Sequence, residues 1–468
     1  MTRSVESFEP VNSTELKLYT CGPTVYDYAH IGNLRAFVFN DTLRRTLESS
    51  GYKLKHVMNI TDVGHLISDD DEGEDKLEKG AAREQKTVWE VADYYIDAFL
   101  DDVKQLNILE PNGYDGPHGK YARATDFISQ QIELISVLMD KGFAYQTEQA
   151  IYFSVSRLDD YGKLTGQKLS DKEVGARAEV VTDSDKKHPQ DFALWFFMIG
   201  RFANHSMAWD SPWGKGFPGW HLECSAIIHA TLGESIDIHT GGVDHIGTHH
   251  TNEIAQTEAA FSVDLSKFWL HNEHLLVEGK KMSKSRGNFF TLKDLVDKNY
   301  EPLALRLLFL QAHYRSQMNF TWESLNGAQS FLKRLQAWAD LKHQPATDRN
   351  NKVANTYKPA LDNIKHSIKN DLNTSEALGW LSGLASASEE HGVDLSHLQS
   401  TLDEIDKIFG LELADREDIT QQSKDLIGRR EEARHAKDWI KSDELRQELL
   451  SNGVDIKDSV LGPIWIRT

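Results

Sequence analysis

Residues 16–60 read LKLYTCGPTVYDYAHIGNLRAFVFNDTLRRTLESSGYKLKHVMNI, and three elements follow one another within them. Leu16 to Cys21 has strand character and stops at Gly22-Pro23-Thr24. The next segment opens a long amphipathic helix, with apolar side chains at Leu34, Phe37, Val38, Leu43 and Leu47. Lys55 to Ile60 reads as a second strand. A strand, a helix and a second, parallel strand form the opening of a doubly wound nucleotide-binding α/β sheet. His30 and Asn33 fall at the start of the helix, where unpaired amides and the dipole favour phosphate.

A second stretch, GWHLECSAIIHATLGESIDIHTGGVDHIGTHHTNE from Gly219 to Glu253, is dense in metal donors. Ser235 to His239 reads as a short strand, Gly241-Gly242 as a tight turn, and Ile246 to Phe261 carries helical apolar spacing. His249 and Glu253 are then four residues apart on one helix face. A His/Glu pair at that spacing is ordinarily a surface pair, and a lone buried cysteine is ordinarily packing. Cys224, just before the strand, adds a thiolate to the imidazole and carboxylate, a combination zinc accepts. The chain holds only two cysteines, Cys21 and Cys224, so a disulfide framework is excluded in favour of a reduced compartment and a chemical role.

A chain of 468 residues is too long for one core. Lys+Arg 52 against Asp+Glu 72 gives a net charge of −20, which argues against a general nucleic-acid coat while leaving room for a local basic track. The opening MTRSVESFEPVNS has no apolar core of a signal peptide, and no apolar run approaches membrane length. A soluble cytoplasmic protein with no membrane association is expected.

The run CGPTVYDYAHIGN resembles the first signature of class I aminoacyl-tRNA synthetases in its cysteinyl-tRNA synthetase form, and KMSKS at Lys281 to Ser285 is similar to the second. GWHLECS, GGVDHIGTHHTNE and REEARHAKDWIKSDELR resemble the same family, in family order, so the likeness covers nearly the whole chain. It implies that His30, Asn33, Lys281 and Lys284 handle the phosphates of ATP, with Gly242 and Asp244 forming the nucleotide and amino-acid wall. It places one Zn2+ per chain on Cys21, Cys224, His249 and Glu253, with Mg2+ arriving with ATP. Thr61, Trp220, His239 and Asp244 would surround the bound L-cysteine. Arg434, Trp439, Asp443 and Asp458 would read the anticodon of tRNA(Cys). A zinc that takes the substrate thiol as an added ligand discriminates against serine, whereas apolar pockets separate similar groups by only roughly 1–3 kcal/mol. Four protein ligands usually describe a closed structural zinc, so this use requires an expandable fifth position.

The family organisation implies a first half of a Rossmann-type catalytic domain over residues 1–110, a connective insertion over 111–200, and the second half with the KMSKS loop over 201–300. A helical bundle over 301–410 and a small anticodon-binding domain over 423–468 follow, in a monomer. Within this frame Thr125 to Lys141 reads as helix, Gln149 to Val155 as strand, and DFALWFFMIG as a strand returning to the core. GHLISDDDEGEDKLEKGAAREQKT, after NITDV, departs from the family pattern and reads as a solvated loop or a flap. Thr251, His245 and Gly247 also depart from it, but none is an expected ligand. Leu411 to Gln422 reads as a polar linker. Two other functions share parts of the pattern. A cysteine:aminosugar ligase of the mycothiol type would lack the anticodon segment, and an inactive RNA-binding paralogue would have no use for a pyrophosphate clamp.

Overall fold

The computed structural model describes residues 4–11, 15–63, 75–166, 185–283, 286–344, 354–391, 395–459 and 462–468. They divide into two compact units, Met1–Lys298 with Tyr314–Phe320, and Asn299–His313 with Thr321–Thr468. No described helix is long and apolar enough to cross a membrane.

In chain order the first unit contains β1 (Leu16–Thr20), α1 (Ile31–Ser49), β2 (Leu54–Ile60), α2 (Lys76–Glu84), α3 (Val88–Gln105), β3 (Ala122–Arg123) and α4 (Ile128–Asp140). Next come β4 (Ala144–Gln146), β5 (Ala150–Phe153), β6 (Phe192–Phe197), β7 (Gly216–Pro218), α5 (Trp220–Leu232), β8 (Ile236–Gly242) and α6 (His249–Phe261). β9 (Ser266–Asn272), β10 (Leu275–Val277), β11 (Lys280–Lys281) and α7 (Leu292–Val296) follow. The central sheet has the order β3-β2-β1-β8-β9, with every pair parallel. From β1 the chain first builds outward to β2 and β3, then crosses to β8 and β9 on the other side. The reversal falls between β1 and β8, and in open parallel sheets the crevice at the strand ends beside such a reversal is where ligands bind.

His30 caps α1: its Nδ1 accepts from the Asn33 amide at 3.1 Å while Asn33 Oδ1 accepts from the His30 amide at 3.1 Å. Arg35, buried on the same helix, donates to the carbonyls of Glu273 at 2.8 Å, His274 at 2.9 Å and Ser316 at 2.7 Å. That guanidinium anchors the helix to the segments around β10. A strand at Met318–Phe320, β12, pairs parallel with β10, which pairs antiparallel with β11.

Three expectations are corrected. Gly241 and Gly242 are not a turn: they continue β8, pairing with His271 and Asn272 of β9. They are glycines because of crowding, since a Cβ on Gly241 would lie 2.6 Å from atoms of both His245 and His250. The strand in DFALWFFMIG is β6, and it joins an antiparallel sheet of order β4-β5-β6-β7 rather than the parallel one. Its six residues are all buried, with Phe192, Leu194, Trp195 and Phe197 packed in a core shared with α4, α5 and α6, so the run lacks a polar face. Finally, part of the charged run after NITDV is helix α2, whose start is capped by Asp75 Oδ1 accepting from the Leu77 amide at 2.7 Å. Leu77, Gly80 and Ala81 form its buried face. Residues 64–74, which hold the acidic part of the run, lie outside the described residues.

The second unit comprises α8 (Pro302–Leu310), α9 (Trp322–Asp340), α10 (Ala354–Lys369), α11 (Thr374–His391), α12 (Leu395–Phe409), α13 (Gln421–His435) and α14 (Trp439–Ser451). It ends in the hairpin β13 (Val454–Ser459) and β14 (Gly462–Arg467), which packs Ile456 and Trp465 with Leu426, Leu445 and Leu449 of α13 and α14. The stretch expected as a linker is held in place. Leu411 and Leu413 are buried, and Arg416 makes a bidentate pair with Asp340 at 2.7 and 2.8 Å.

Candidate active site and metal centre

Cys21 is the first residue beyond β1, Cys224 lies in α5, and His249 and Glu253 occupy the first turns of α6. One ligating atom from each falls within 4.8 Å of the others, and all four residues are buried. His249 Nε2 is 2.9 Å from Glu253 Oε1 and 3.5 Å from Cys224 Sγ, and Cys21 Sγ is 4.0 Å from Glu253 Oε1. The second carboxylate oxygen, Oε2, is 2.7 Å from His239 Nε2. The His249 ring is itself fixed, stacked on Trp220 at 4.3 Å with its Nδ1 3.0 Å from His221 Nδ1. A second set that could hold a metal, Cys21, His239, His250 and Glu253, shares two members with the first.

The electrostatics of the cluster are those of an anionic pocket. Burial works against a proton on His249, yet Glu253 and Cys224 overcome it and push that imidazole up to about 10. Glu253 is held well below the usual carboxylate range, against burial, by His239 and His249. Burial raises both thiols, but hydrogen bonding with Cys21 and the charge of His249 bring Cys224 down to about 6, while Cys21 stays well above its usual value. The surrounding imidazoles are driven the other way by burial and by one another: His245 to about 4, His271 to about 3, and His250 well below its ordinary value. Two thiols, a carboxylate and an imidazole, ringed by neutral histidines, suit a divalent cation of intermediate softness.

Toward the phosphate side, burial lowers the pKa of His30. Because its Nδ1 accepts a hydrogen bond, the neutral ring carries its proton on Nε2, leaving that nitrogen a donor. The two signature segments touch. The Ile31 amide bonds to Phe290 O at 2.9 Å, and Met282 crowds Gly32 so closely that a Cβ there would collide with the Met282 methyl. Lys281 is exposed in β11, and Lys284 lies outside the described residues. Gly242 ends β8 and Asp244 is exposed in the 3-10 turn that follows. Thr61, just past β2, is buried and donates to Glu223 Oε2 at 2.8 Å.

In the second unit, Arg434 lies 3.0 Å from Asp458 and over the ring of Trp439 at 5.9 Å. Trp439 is 57% exposed, and Asp443 is exposed on α14. Asp458 is also gripped by Arg430, at 2.9 and 3.1 Å, a buried partner that sequence reasoning did not single out. Reasoning from sequence likewise did not assign roles to His250, His271, Trp269 and Glu223, which surround the donor cluster. Only His250 left a trace, as the neighbour of His249.

The family described as tRNA synthetases class I (C) catalytic domain matches residues 7–330. Cysteine–tRNA ligase 1 of Burkholderia lata is 42% identical over 470 residues, covering 98% of this chain and 94% of that one. Cysteine–tRNA ligase of Treponema denticola is 39% identical over 493 residues, covering 98% and 97%. Among solved structures, Mycobacterium tuberculosis methionyl-tRNA synthetase in complex with methionyl-adenylate superposes with a TM-score of 0.62 at 12% identity, over 86% of this chain and 93% of that one. The Agrobacterium radiobacter K84 LeuRS in a ternary complex with tRNA also gives 0.62 at 12% identity, over 87% and 85%. At such identities the superpositions speak for the fold alone, whereas the match over residues 7–330 and the near-full-length identities establish the lineage: the chain belongs to the class I synthetase family of cysteine–tRNA ligases.

Proposed function

We propose that this protein activates L-cysteine with ATP and transfers it to the 3′-terminal adenosine of tRNA(Cys). The observation that carries this reading is the buried cluster of Cys21, Cys224, His249 and Glu253 at the strand ends of β1 and β8, in the same unit as the His30 cap. We assign these four residues to zinc. When bound there, zinc would accept the substrate's thiol as thiolate, a donor that serine's hydroxyl does not match. Trp220 packs on one ligand and His239 hydrogen-bonds another, so both hold the cluster's shape as well as lining the cysteine pocket.

In the first step a carboxylate oxygen of cysteine attacks the α-phosphorus of ATP and pyrophosphate leaves. No general base is required, because the carboxylate is already ionised. The chain therefore contributes position and charge. His30 Nε2–H donates to a phosphate oxygen, Asn33 holds the His30 ring, and Lys281 with Lys284 neutralise the departing pyrophosphate. Gly242 and Asp244 form the wall between nucleotide and amino acid. In the second step a ribose hydroxyl of the tRNA attacks the acyl carbon and AMP leaves. Arg434, Trp439, Asp443 and Asp458 are assigned to the anticodon, by stacking and by bonds to base edges. Residues 111–200 serve as the connective insertion and 301–410 as the bundle between catalytic and anticodon parts. A cytoplasmic monomer using Mg2+ with ATP completes the reading.

Cysteine-dependent ATP–pyrophosphate exchange, run beside charging of a tRNA(Cys) transcript with serine as competitor, tests it. Exchange and charging with cysteine, and neither with serine, is the expected result. Exchange without charging would overturn the tRNA assignment in favour of an aminosugar-type ligase. Absence of both would leave a binding protein.

A further inference from the structure

The imidazole of His205 is set between two acceptors. Its Nδ1 lies 2.8 Å from the Met207 carbonyl oxygen, and its Nε2 lies 3.3 Å from Asp75 Oδ2. A carbonyl oxygen can only accept, so Nδ1 carries a proton. Asp75 caps α2, its Oδ1 accepting from the amides of Leu77 at 2.7 Å and Glu78 at 3.3 Å, a position where amides and the helix dipole favour an accepting carboxylate. Nε2 must then donate as well, and a ring that donates from both nitrogens is an imidazolium. The two side chains are only 3% and 2% exposed. From α2 the ring also faces Glu78, 4.0 Å from Nδ1. From β7 it faces the Phe217 ring, stacked at 3.9 Å, a surface that suits a cation. The 3-10 turn Gly200–Phe202 adds the Phe202 ring at 6.2 Å, which Arg201 covers at 4.6 Å. Burial works against the proton, but Asp75, the Met207 carbonyl and Glu78 outweigh it and raise the pKa of the imidazole.

The pair ties the start of α2 to the loop 203–207. Glu78 closes the same joint, accepting from the Ser206 amide at 2.6 Å and from its hydroxyl at 3.2 Å. Through its other contacts α2 supports the segment that leads into His30. Lys76, next to Asp75, lies over the Tyr26 ring at 5.2 Å, and a Cβ on Gly80 would lie 3.5 Å from the Tyr26 carbonyl oxygen. At the far end of the helix Glu84 accepts from Tyr95 Oη at 2.5 Å, and the Tyr95 ring meets Tyr28 edge-on at 5.0 Å. His30 stands two residues beyond Tyr28. A shift of α2 is therefore handed to the His30 cap, where small displacements cost rate.

We propose that His205 is a positioning residue for amino-acid activation, its charged ring clamping α2 through Asp75 and so holding the segment 26–28 and His30 in place. When the ring gives its Nε2 proton to water, a lone pair is left facing the Asp75 carboxylate, and the clamp opens. Because the partners raise the pKa, the clamp is fully closed below the unfolded value of about 6.5 and is lost as pH rises through the folded one. The inference rests on the activation reading proposed above and adds to it a residue that acts through α2.

The test measures cysteine-dependent ATP–pyrophosphate exchange by the full, metal-loaded chain at saturating substrates, from about pH 6 to about pH 9 and well below every melting midpoint. His205→Gln keeps a donor but cannot ionise, and Asp75→Asn keeps an oxygen to cap α2 while removing the charge. Each should turn over about fivefold more slowly than the unmodified chain at the acid end and match it at the alkaline end, so that the ratio of rates falls toward one as pH rises. A ratio that stays constant or grows with pH would mean that the charge on His205 does not position the site, and would overturn the inference. Variants that match the unmodified chain throughout would overturn it too. Loss of fold in both variants would make the pair a stability device and nothing more, which also overturns it. No exchange by the unmodified chain at any pH would instead sink the activation reading itself, and the inference with it.

Discussion

Met282 presses its terminal methyl against Gly32, so that a Cβ on Gly32 would collide with it and come within 3.0 Å of the His30 ring. The lysine-rich loop and the start of α1 are therefore packed as one surface. Gly32 stands in the first turn of α1, where alanine would favour the helix. Gly32→Ala should leave the melting midpoint nearly unchanged or slightly raised, yet lower exchange turnover by about tenfold by displacing Met282 or His30. A variant with full turnover would show that this contact does not position the loop.

Removing one thiol separates the metal reading from simple packing. Cys224→Ser should lose bound zinc, measured by atomic absorption, and drop cysteine-dependent exchange at least about a hundredfold. A metal-free variant with normal exchange would end the zinc assignment.

Trp439 is an exposed aromatic with Arg434 above it, in the second unit. Trp439→Ala should lower kcat/KM for charging tRNA(Cys) by about tenfold or more, the worth of a base stack, and leave exchange untouched. Parallel losses in both assays would assign Trp439 to stability.

Burial pushes the Asp62 carboxyl up to about 6, although the Thr125 hydroxyl at 2.7 Å and amide at 3.0 Å oppose the rise. A carboxyl raised on folding stabilises most when protonated, below its unfolded value near about 4, and that contribution is lost as pH climbs through about 6. Asp62→Asn cannot ionise. Relative to the unmodified chain it should gain stability between about pH 4 and pH 7, by up to about 3 kcal/mol in urea unfolding. A constant difference across that window would mean that Asp62 stays ionised without cost.

Much of the fold is legible along the chain. Leu16–Thr20, the helix from Ile31 and Leu54–Ile60 can be read from apolar spacing, because each element packs one continuous stripe or run against the sheet core. The donor set of Cys21, Cys224, His249 and Glu253 was legible too, through donor chemistry and family likeness, since thiols are scarce and an i,i+4 pair is a local fact. Local patterns failed where the cause was distant. Gly241 and Gly242 resemble a turn in sequence, but they are strand residues made small by neighbours arriving from the next turn and helix, Gly241 by His245 and His250 and Gly242 by Asp244. The apolar DFALWFFMIG contains no signal for which sheet receives it, because a strand buried on both faces reads the same in either.

What the sequence determined by itself was the class of sheet, the lineage and which side chains are available as donors. Only the tertiary structure decided how those donors are arranged: which oxygen of Glu253 faces His239 and which faces His249, and that the Thr61 hydroxyl meets Glu223 beside them. Hydrogen-bond direction and charge depend on atoms that meet across 162 residues of chain in the Thr61–Glu223 pair, and 232 separate Cys21 from Glu253. Sequence spacing records which groups are available, whereas burial and contact set what each group accepts, donates or holds as charge.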